Sequence, residues 1–296
     1  MAGKHRRKNR KRNRKRNRNR NYIFTILIVL LLGITVLHSC QNKATPNQET
    51  VINNSQQSEV VEEETSHESI DSTLTEKEQL EQQLVPTPDA NVDDWNLMLV
   101  NRENQLSDNP VFDQYITYEG KPIDARIADA YEQMVADGRA AGMEFILISG
   151  YRSIESQQSN YDSVYQTYIN QGYSSEEAIS RTEAYIALPH ASEHSTGLAV
   201  DITEPTLAST GDGLVEAFEE TAEGQWLAEN AAHYGFILRY PKGKEEITFI
   251  AYEPWHFRYV GVENALYIKE NELTLEEYIE ILKENDAIQQ QISELE

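Results

Sequence analysis

The sequence of 296 residues predicts an α+β fold, in which a small antiparallel sheet is flanked by helices within one domain. Two observations carry this prediction. Apolar residues at helical spacing come first along the domain, and short strand-like runs cluster late, between residues 236 and 260. A third observation sets where the domain begins: the first ninety residues are unsuited to forming a hydrophobic core. The folded domain is therefore predicted over residues 89–283.

Helices are predicted where apolar residues recur at helical spacing behind a polar capping residue. Ser153 is placed to cap a helix that runs through Asn170, and Ser174 with Glu177 forms a capping box for the next one. The expected helices within the domain occupy residues 123–142, 153–170, 174–187 and about 226–235. A helical tail, 284–296, is expected to continue a terminal helix that packs at its start and frays beyond Asn285.

Strands are predicted from short apolar or alternating runs. Trp95, Leu97 and Leu99 alternate in a strand-like way and predict the strand that opens the domain. The other expected strands occupy residues 144–148, 198–202, 236–240, 247–250 and 255–260. Because the helices come first and the strands cluster late, the sheet is expected to be antiparallel.

The N-terminal part divides into three segments of different composition. Residues 1–20 carry twelve Lys and Arg and no acid, although the whole chain has a net charge of -23. We interpret residues 1–21 as a basic cytoplasmic segment, the apolar residues 22–40 as a membrane anchor or a lipoprotein signal, and residues 41–88 as a disordered tether. The domain is then expected at the extracytoplasmic face of a membrane.

Two features of this N-terminal part leave alternatives. Cys40, the single cysteine, ends the run Val-Leu-His-Ser-Cys, which resembles a bacterial lipobox, while an uncleaved signal anchor fits equally well. The basic segment would also suit nucleic acid. Its position before an apolar run favours membrane topology, and the acidic remainder of the chain opposes polyanionic partners, so no nucleic-acid partner is expected.

Four residues in two short segments form the main candidate site. His194 and Asp201 lie seven residues apart in Ser-Glu-His-Ser-Thr-Gly-Leu-Ala-Val-Asp, and Glu253 precedes His256 in Glu-Pro-Trp-His. Three ligands of N/O type with an open fourth position are typical of a catalytic zinc site. The remaining carboxylate would accept a proton from water. One His and Asp pair arises by chance in many chains, but Pro254 restricts the backbone between the second carboxylate and its imidazole.

Arg152 is the candidate for the cation that such a site needs. It lies in Ser-Gly-Tyr-Arg-Ser, directly after the strand predicted over 144–148. A guanidinium at a strand end could stabilise the oxyanion of a hydrolytic transition state. The alternative is a surface salt bridge.

These motifs, together with Tyr-Gly-Phe-Ile-Leu-Arg-Tyr-Pro near residue 240, resemble the VanY-type D-alanyl-D-alanine carboxypeptidases, which are zinc peptidases of bacterial peptidoglycan. The resemblance runs from about Trp95 to Tyr278. It implies a zinc carboxypeptidase that removes the terminal D-alanine of peptidoglycan stem peptides. The implied residues are the zinc ligands His194, Asp201 and His256, the base Glu253, the transition-state cation Arg152, and the substrate-binding residues Tyr151, Gln157 and Ser192.

The sequence departs from the family pattern at two positions. His190 and Phe249 stand where the family usually has glycine. Replacing glycine with a bulky residue indicates that the space around the backbone near the cleft is altered. His190 is interpreted as a fourth metal-side group, a substrate contact or a tolerated loop substitution. Two other functions stay open: L,D-carboxypeptidase cleavage of tetrapeptide stems, and a wall-binding module that keeps zinc for structure.

Overall fold

The fold is taken from a computed structural model, which describes residues 74–111, 114–211 and 213–296. The basic segment, the expected anchor with Cys40, and the first part of the expected tether lie outside the described residues. Within the described ranges, no helix combines the length and the apolar character that crossing a membrane requires.

The described chain contains the following helices: α1 Glu76–Glu81, α2 Ala128–Ala140, α3 Ile154–Asn170, α4 Ser175–Tyr185, α5 Pro205–Ala208, α6 Ala222–Asn230, α7 Glu245–Thr248, α8 Val262–Glu270 and α9 Leu275–Glu294. It contains these strands: β1 Tyr115–Tyr118, β2 Lys121–Asp124, β3 Ile146–Ser149, β4 Ala199–Thr203, β5 Phe236–Leu238 and β6 His256–Tyr259. Short 3₁₀ turns include Pro189–Ala191, Glu193–Thr196 and Ala231–Tyr234.

The larger sheet has the strand order β3-β4-β6-β5, and every pairing in it is antiparallel. β1 and β2 form a separate antiparallel hairpin. Helices and small antiparallel sheets within one domain confirm the predicted α+β class. β4 is buried along its whole length, because it lies in the middle of the sheet with covered faces.

Two apolar clusters hold the sheet in place. The first packs one face of the sheet, through side chains such as Val200 and Phe257, against α2 and α6. The second surrounds α8 and α9 and contains Leu97, Tyr278 and Leu282. The site described below lies on β4 and β6, which these two clusters fix from different sides.

The helix caps follow the sequence closely. Ser153 accepts a hydrogen bond from the backbone N–H of Ser156 at 3.2 Å, and α3 ends at Asn170 as predicted. Ser174 and Glu177 form the predicted capping box of α4. The 3₁₀ turn after α6 ends at Gly235, which has a left-handed φ of 86°. Helix ends were predictable because a few local hydrogen bonds decide them.

Two predicted strands are wrong. Residues 95–99 form turns and extended chain without strand pairing, and Leu97 is fully buried there although it is outside the sheet. Residues 245–248 form the one-turn helix α7, which ends at Phe249 with a φ of 66°. A short apolar stretch indicates that a segment is buried. Burial alone does not distinguish a strand from a packed loop or a helical turn.

Several boundaries also differ from the predicted ones. Ile123 lies in β2, so the predicted helix begins later, at Ala128. The tail continues as helix to Glu294 with Ile292 buried, so it does not fray beyond Asn285. Within the predicted tether, α1 forms with its own capping box and packs against α9, and Val85 exchanges hydrogen bonds with the side chain of Asn285.

Candidate metal centre and cleft

The strand register brings the predicted ligands together. Asp201 on β4 is the direct partner of His256 on β6, and Ser149 on β3 pairs with Asp201 from the other side. His194 lies in the 3₁₀ turn before β4, and Gly197 with a φ of 73° turns the chain from that helical turn into the strand. The left-handed conformation suits glycine, which has no Cβ to clash.

The three side chains form a compact buried cluster. Asp201 Oδ2 lies 3.1 Å from His194 Nε2, and Asp201 Oδ1 lies 3.2 Å from His256 Nδ1. Adjacent ligand atoms of a tetrahedral zinc ion are about 3.3 Å apart when the bonds are about 2.0–2.1 Å long. One ligand atom from each of the three residues lies within 4.8 Å of the others, which leaves room for one ion.

Hydrogen bonding fits a metal as well. Asp201 Oδ1 is buried and has no hydrogen-bond partner among the described residues. A buried carboxylate oxygen without a donor is costly unless it meets a cation. His194 Nδ1–H donates to the carbonyl of Gly150 at 2.7 Å, which leaves Nε2 free to bind the metal. The donor set therefore fits a zinc ion.

The electrostatics favour the charged forms of Asp201 and His256. Burial opposes ionisation of Asp201, but the two imidazoles outweigh it and hold the pKa of that carboxyl well below its usual range. Burial opposes protonation of His256, but the neighbouring carboxylates of Asp201, Glu193 and Glu253 outweigh it and raise the pKa of His256 to about 9.

Glu253 is a buried carboxyl beside this cluster. Its Oε2 lies 3.6 Å from His256 Nδ1, and the residue is 6% exposed. Burial, aided by the charge of Asp201, raises the pKa of Glu253 to about 8. A bound cation would favour the ionised form. A base that takes a proton from water is expected to lie next to the metal ligands, as Glu253 does.

Arg152 points from the end of β3 toward the same place. Its guanidinium donates to Gln157 Oε1 at 2.6 Å and to Ser149 Oγ at 2.7 Å, and it lies 3.9 Å from Asp201 Oδ2. Gln157 in turn donates to the carbonyl of Ala187 at 2.7 Å. These contacts hold the cation at the cluster, so Arg152 is not a surface salt-bridge partner.

A cleft of about 730 Å³ opens onto the cluster. Of the predicted substrate-binding residues, Gln157 and Ser192 line it. Tyr151 is not one of the described residues that line this cleft. Its ring packs against that of Tyr115, with centroids 5.0 Å apart. Roles in substrate binding stay predictions for all three.

The two departures from the family pattern take different positions. His190 Nδ1–H donates to the carbonyl of Leu106 at 2.9 Å, and Leu106 N–H donates back to the carbonyl of His190 at 2.8 Å. His190 thus fixes a neighbouring loop, and it is not in the metal cluster. Phe249 keeps a left-handed backbone and packs its ring beneath Arg102, 5.7 Å from the guanidinium carbon. The next residue, Ile250, lines the cleft.

Sequence reasoning missed a set of buried charges behind His256. Glu193 Oε1 accepts from Arg239 Nε at 2.7 Å and from Arg258 Nη1 at 2.8 Å, and all three side chains are fully buried. Burial opposes ionisation of Glu193, but the two guanidiniums hold its pKa well below the usual range. The available signal was an arginine within one apolar strand, Arg258, and another directly after a second one, Arg239, because a buried cation needs a partner.

This fold and site define a class of protein. A buried His, Asp and His set, with a free carboxylate and an arginine at an open cleft, is the arrangement of a zinc-dependent hydrolase. Comparison with known proteins agrees. The VanY family, described as D-alanyl-D-alanine carboxypeptidase, matches residues 120–262.

Individual relatives extend this match. A D-alanyl-D-alanine carboxypeptidase of Enterococcus faecalis is 40% identical over 63% of this chain, and the chain spans 66% of that relative. A VanY D,D-pentapeptidase from a VanB-type vancomycin resistance cassette, solved with Zn(II), is 40% identical with a TM-score of 0.55 over 62% of this chain and 99% of that chain. VanYB in complex with D-alanine-D-alanine is 40% identical with a TM-score of 0.56, over 63% of this chain and 98% of that one.

The chain belongs to the VanY-type family of D-alanyl-D-alanine carboxypeptidases. It is thereby placed among the zinc carboxypeptidases. The Zn²⁺ cofactor expected from the sequence agrees with the zinc complex of the VanY relative and with the donor set of His194, Asp201 and His256.

Proposed function

We propose that this protein removes the C-terminal D-alanine from peptidoglycan stem peptides, with Glu253 as the base. Zinc, held by His194, Asp201 and His256, would activate a water molecule for attack on the peptide carbonyl. The observation that carries the proposal is the buried Glu253 carboxylate, which lies 3.6 Å from His256 Nδ1 and opens onto the cleft.

Each of these side chains has a defined role in the reaction. Glu253 takes a proton from the attacking water and passes it to the departing amine of D-alanine. Arg152 stabilises the negative charge that develops on the carbonyl oxygen. Gln157 and Ser149 fix the guanidinium so that it needs no rearrangement as the charge forms. VanYB binds D-alanine-D-alanine, which supports the substrate class proposed for this chain.

The test is hydrolysis of a pentapeptide stem by the folded domain and by its Glu253→Gln variant. Loss of the base should reduce kcat by about 10²–10⁴-fold, while bound zinc stays stoichiometric, because Glu253 is not a ligand. D-alanine release is followed by mass spectrometry and zinc by atomic absorption. Wild-type activity in Glu253→Gln would refute the assigned base, and no activity in the wild type would refute the function.

The same assay, run on a tetrapeptide stem beside the pentapeptide, decides between the two specificities. The L,D alternative predicts that the tetrapeptide stem is trimmed to a tripeptide faster than the pentapeptide is trimmed to a tetrapeptide. We favour the pentapeptide because the family is described as D-alanyl-D-alanine carboxypeptidase and the relative solved with Zn(II) as a D,D-pentapeptidase. A non-catalytic wall-binding module would release alanine from neither peptide while it still bound zinc and cell wall.

We further propose that the domain works outside the cell, tethered to the membrane through residues 22–40. The support is the basic segment before an apolar run and the position of Cys40 at its end. Mass spectrometry of the purified full chain tests the form of the anchor. A diacylglyceryl group on Cys40 indicates a lipoprotein, and an intact, unmodified N-terminus indicates a signal anchor.

A further inference from the structure

Behind His256, a chain of buried contacts runs from the metal cluster to the last helix. His256 Nε2 faces Glu193 Oε2 at 3.7 Å. Both atoms are buried and have no hydrogen-bond partner within the described ranges. The other imidazole nitrogen, Nδ1, faces Asp201 and Glu253. Glu193 therefore lies on the side of the imidazole opposite to the metal cluster.

The carboxylate of Glu193 is itself held by Arg239, and Arg239 by the C-terminal helix. Arg239 Nε donates to Glu193 Oε1 at 2.7 Å. Its two terminal nitrogens donate to the two carboxylate oxygens of Glu276 on α9, at 2.8 Å and 2.7 Å. A bidentate pair of this kind fixes the plane of the guanidinium. Asn101 adds a donor to Glu276 Oε1 at 3.0 Å.

A second arm reaches the segment that precedes the sheet. Arg258 Nη1 donates to Glu193 Oε1 at 2.8 Å, and its Nη2 donates to the carbonyls of Asn96 and Met98 at 3.1 Å and 2.8 Å. Asn96, Met98, Asn101 and Glu276 all lie outside residues 120–262, where the family matches. The segments on both sides of the matched region thus hold the group that faces His256.

We infer that Glu193 is a positioning residue for the ligand His256, and that Glu276 on α9 acts through Arg239 as a second positioning residue. Carboxylates that face the distal nitrogen of a metal-binding imidazole fix its orientation and increase its basicity. Glu193 takes that position here, and Glu276 sets the guanidinium to which Glu193 is bound. The inference rests on the ligand set of the proposed function, but it does not depend on which peptide is cleaved.

The chain provides a matched control beside Glu276. Glu277 lies on the same helix and also has an ion pair, with Lys244 Nζ at 2.9 Å. It also belongs to the capping box of α9. Its contacts lead to Lys244 and Thr274, and none of them reaches Glu193. Loss of the Glu277 charge removes an ion pair from α9 without touching the contacts behind His256.

The experiment measures the zinc dissociation constant of the folded domain by competition with a chromophoric chelator. Glu193→Gln should raise it by about 10–100-fold, Glu276→Gln by roughly threefold or more, and Glu277→Gln by less than about twofold. The visible absorption spectrum of the cobalt-substituted protein should change in the first two variants and stay unchanged in the third. Circular dichroism establishes that each variant is folded at the temperature used.

Three outcomes are informative. Wild-type zinc affinity and cobalt spectra in folded Glu193→Gln and Glu276→Gln would overturn the inference alone. Equal effects in Glu276→Gln and Glu277→Gln would also overturn it, since they would reflect general loosening of α9. Wild-type zinc affinity in His256→Ala would refute the ligand set, and the inference with it. If Glu193→Gln does not fold, Glu276→Gln carries the test, because glutamine keeps an acceptor oxygen for Arg239.

Discussion

At the scale of single residues, the candidate metal cluster was predictable because the sequence places its members in short motifs. His194 with Asp201 and Glu253 with His256 are close in the chain, so the residue types alone indicated zinc chemistry. Glu193 escaped notice although it precedes His194, because its partners Arg239 and Arg258 are 46 and 65 positions away. Only the pairing of β4, β5 and β6 brings these charges together.

Arg152 gives a prediction at this scale. Arg152→Lys keeps the charge but loses the rigid, planar donor set that binds Gln157 and Ser149. We expect kcat/KM for the pentapeptide to fall by about 10²–10³-fold, because an oxyanion stabiliser is displaced. Zinc content should be unchanged, since Arg152 donates no ligand.

Arg181→Lys is the control for that substitution. Arg181 lies on α4 and stacks on Tyr173, 4.0 Å from the ring centroid, outside the cleft lining. Its kinetics should match the wild type. Full activity in Arg152→Lys would show that a point charge suffices and that the hydrogen bonds to Gln157 and Ser149 have no part in catalysis.

At the scale of helices and strands, several predictions that depend on local signals were correct, and several that depend on long-range packing were wrong. The start and end of α3 and the capping box of α4 were correct, because those boundaries depend on neighbouring residues. The strand expected at 247–250 was wrong because residues 245–248 form a single helical turn, and the strand expected at 95–99 was wrong because Leu97 is buried in the cluster around α8 and α9. The fraying expected after Asn285 was also wrong, because α1, which lies about 200 residues earlier, covers that end of α9.

The tail of α9 gives a prediction at this scale. Ile292 is 3% exposed near the end of the helix, so Ile292→Ala removes buried apolar surface. We expect the free energy of unfolding to fall by about 2 kcal/mol or more. Urea unfolding followed by circular dichroism measures the change.

The exposed Gln289 provides the comparison. Gln289→Ala should change the free energy of unfolding by less than about 0.5 kcal/mol. If Ile292→Ala behaved like Gln289→Ala, the helix end would contribute nothing to stability, and the sequence-based expectation of fraying would be the better description in solution.

At the scale of the whole molecule, the two apolar clusters meet at the sheet that carries the site. One cluster uses α2 and α6, and the other uses α8, α9 and the segment around Leu97. The α+β class was predictable from the distribution of helical and strand-like runs. The dependence of the sheet on residues at both ends of the described domain was not, because a pattern within one segment does not identify the partner that covers it.

Zinc removal gives a prediction for the molecule as a whole. The metal-free site holds the carboxyls of Asp201 and Glu253 close together, so a bound cation should stabilise the native state. At a free zinc concentration of about 100 times Kd, the gain is about 2.7 kcal/mol, or roughly 5–10 °C in Tm. Differential scanning fluorimetry with and without a chelator measures it.

The variants His256→Ala and Glu253→Gln test whether the increase in Tm comes from zinc at the proposed site. The first lacks a proposed ligand and should show little increase in Tm with zinc. The second keeps all three proposed ligands and should show an increase at least as large as the wild type. An equal increase in His256→Ala would place the stabilising ion elsewhere in the molecule.

The contacts between Glu276 and Arg239 also bear on the order in which the protein matures. Glu276 lies about 80 residues after His194, so a growing chain on the ribosome contains every proposed metal ligand before it contains α9. Until α9 is present, Arg239 lacks one of its two carboxylate partners. If Glu276 positions Arg239 as inferred, the metal site reaches its full zinc affinity only after the last helix has been added.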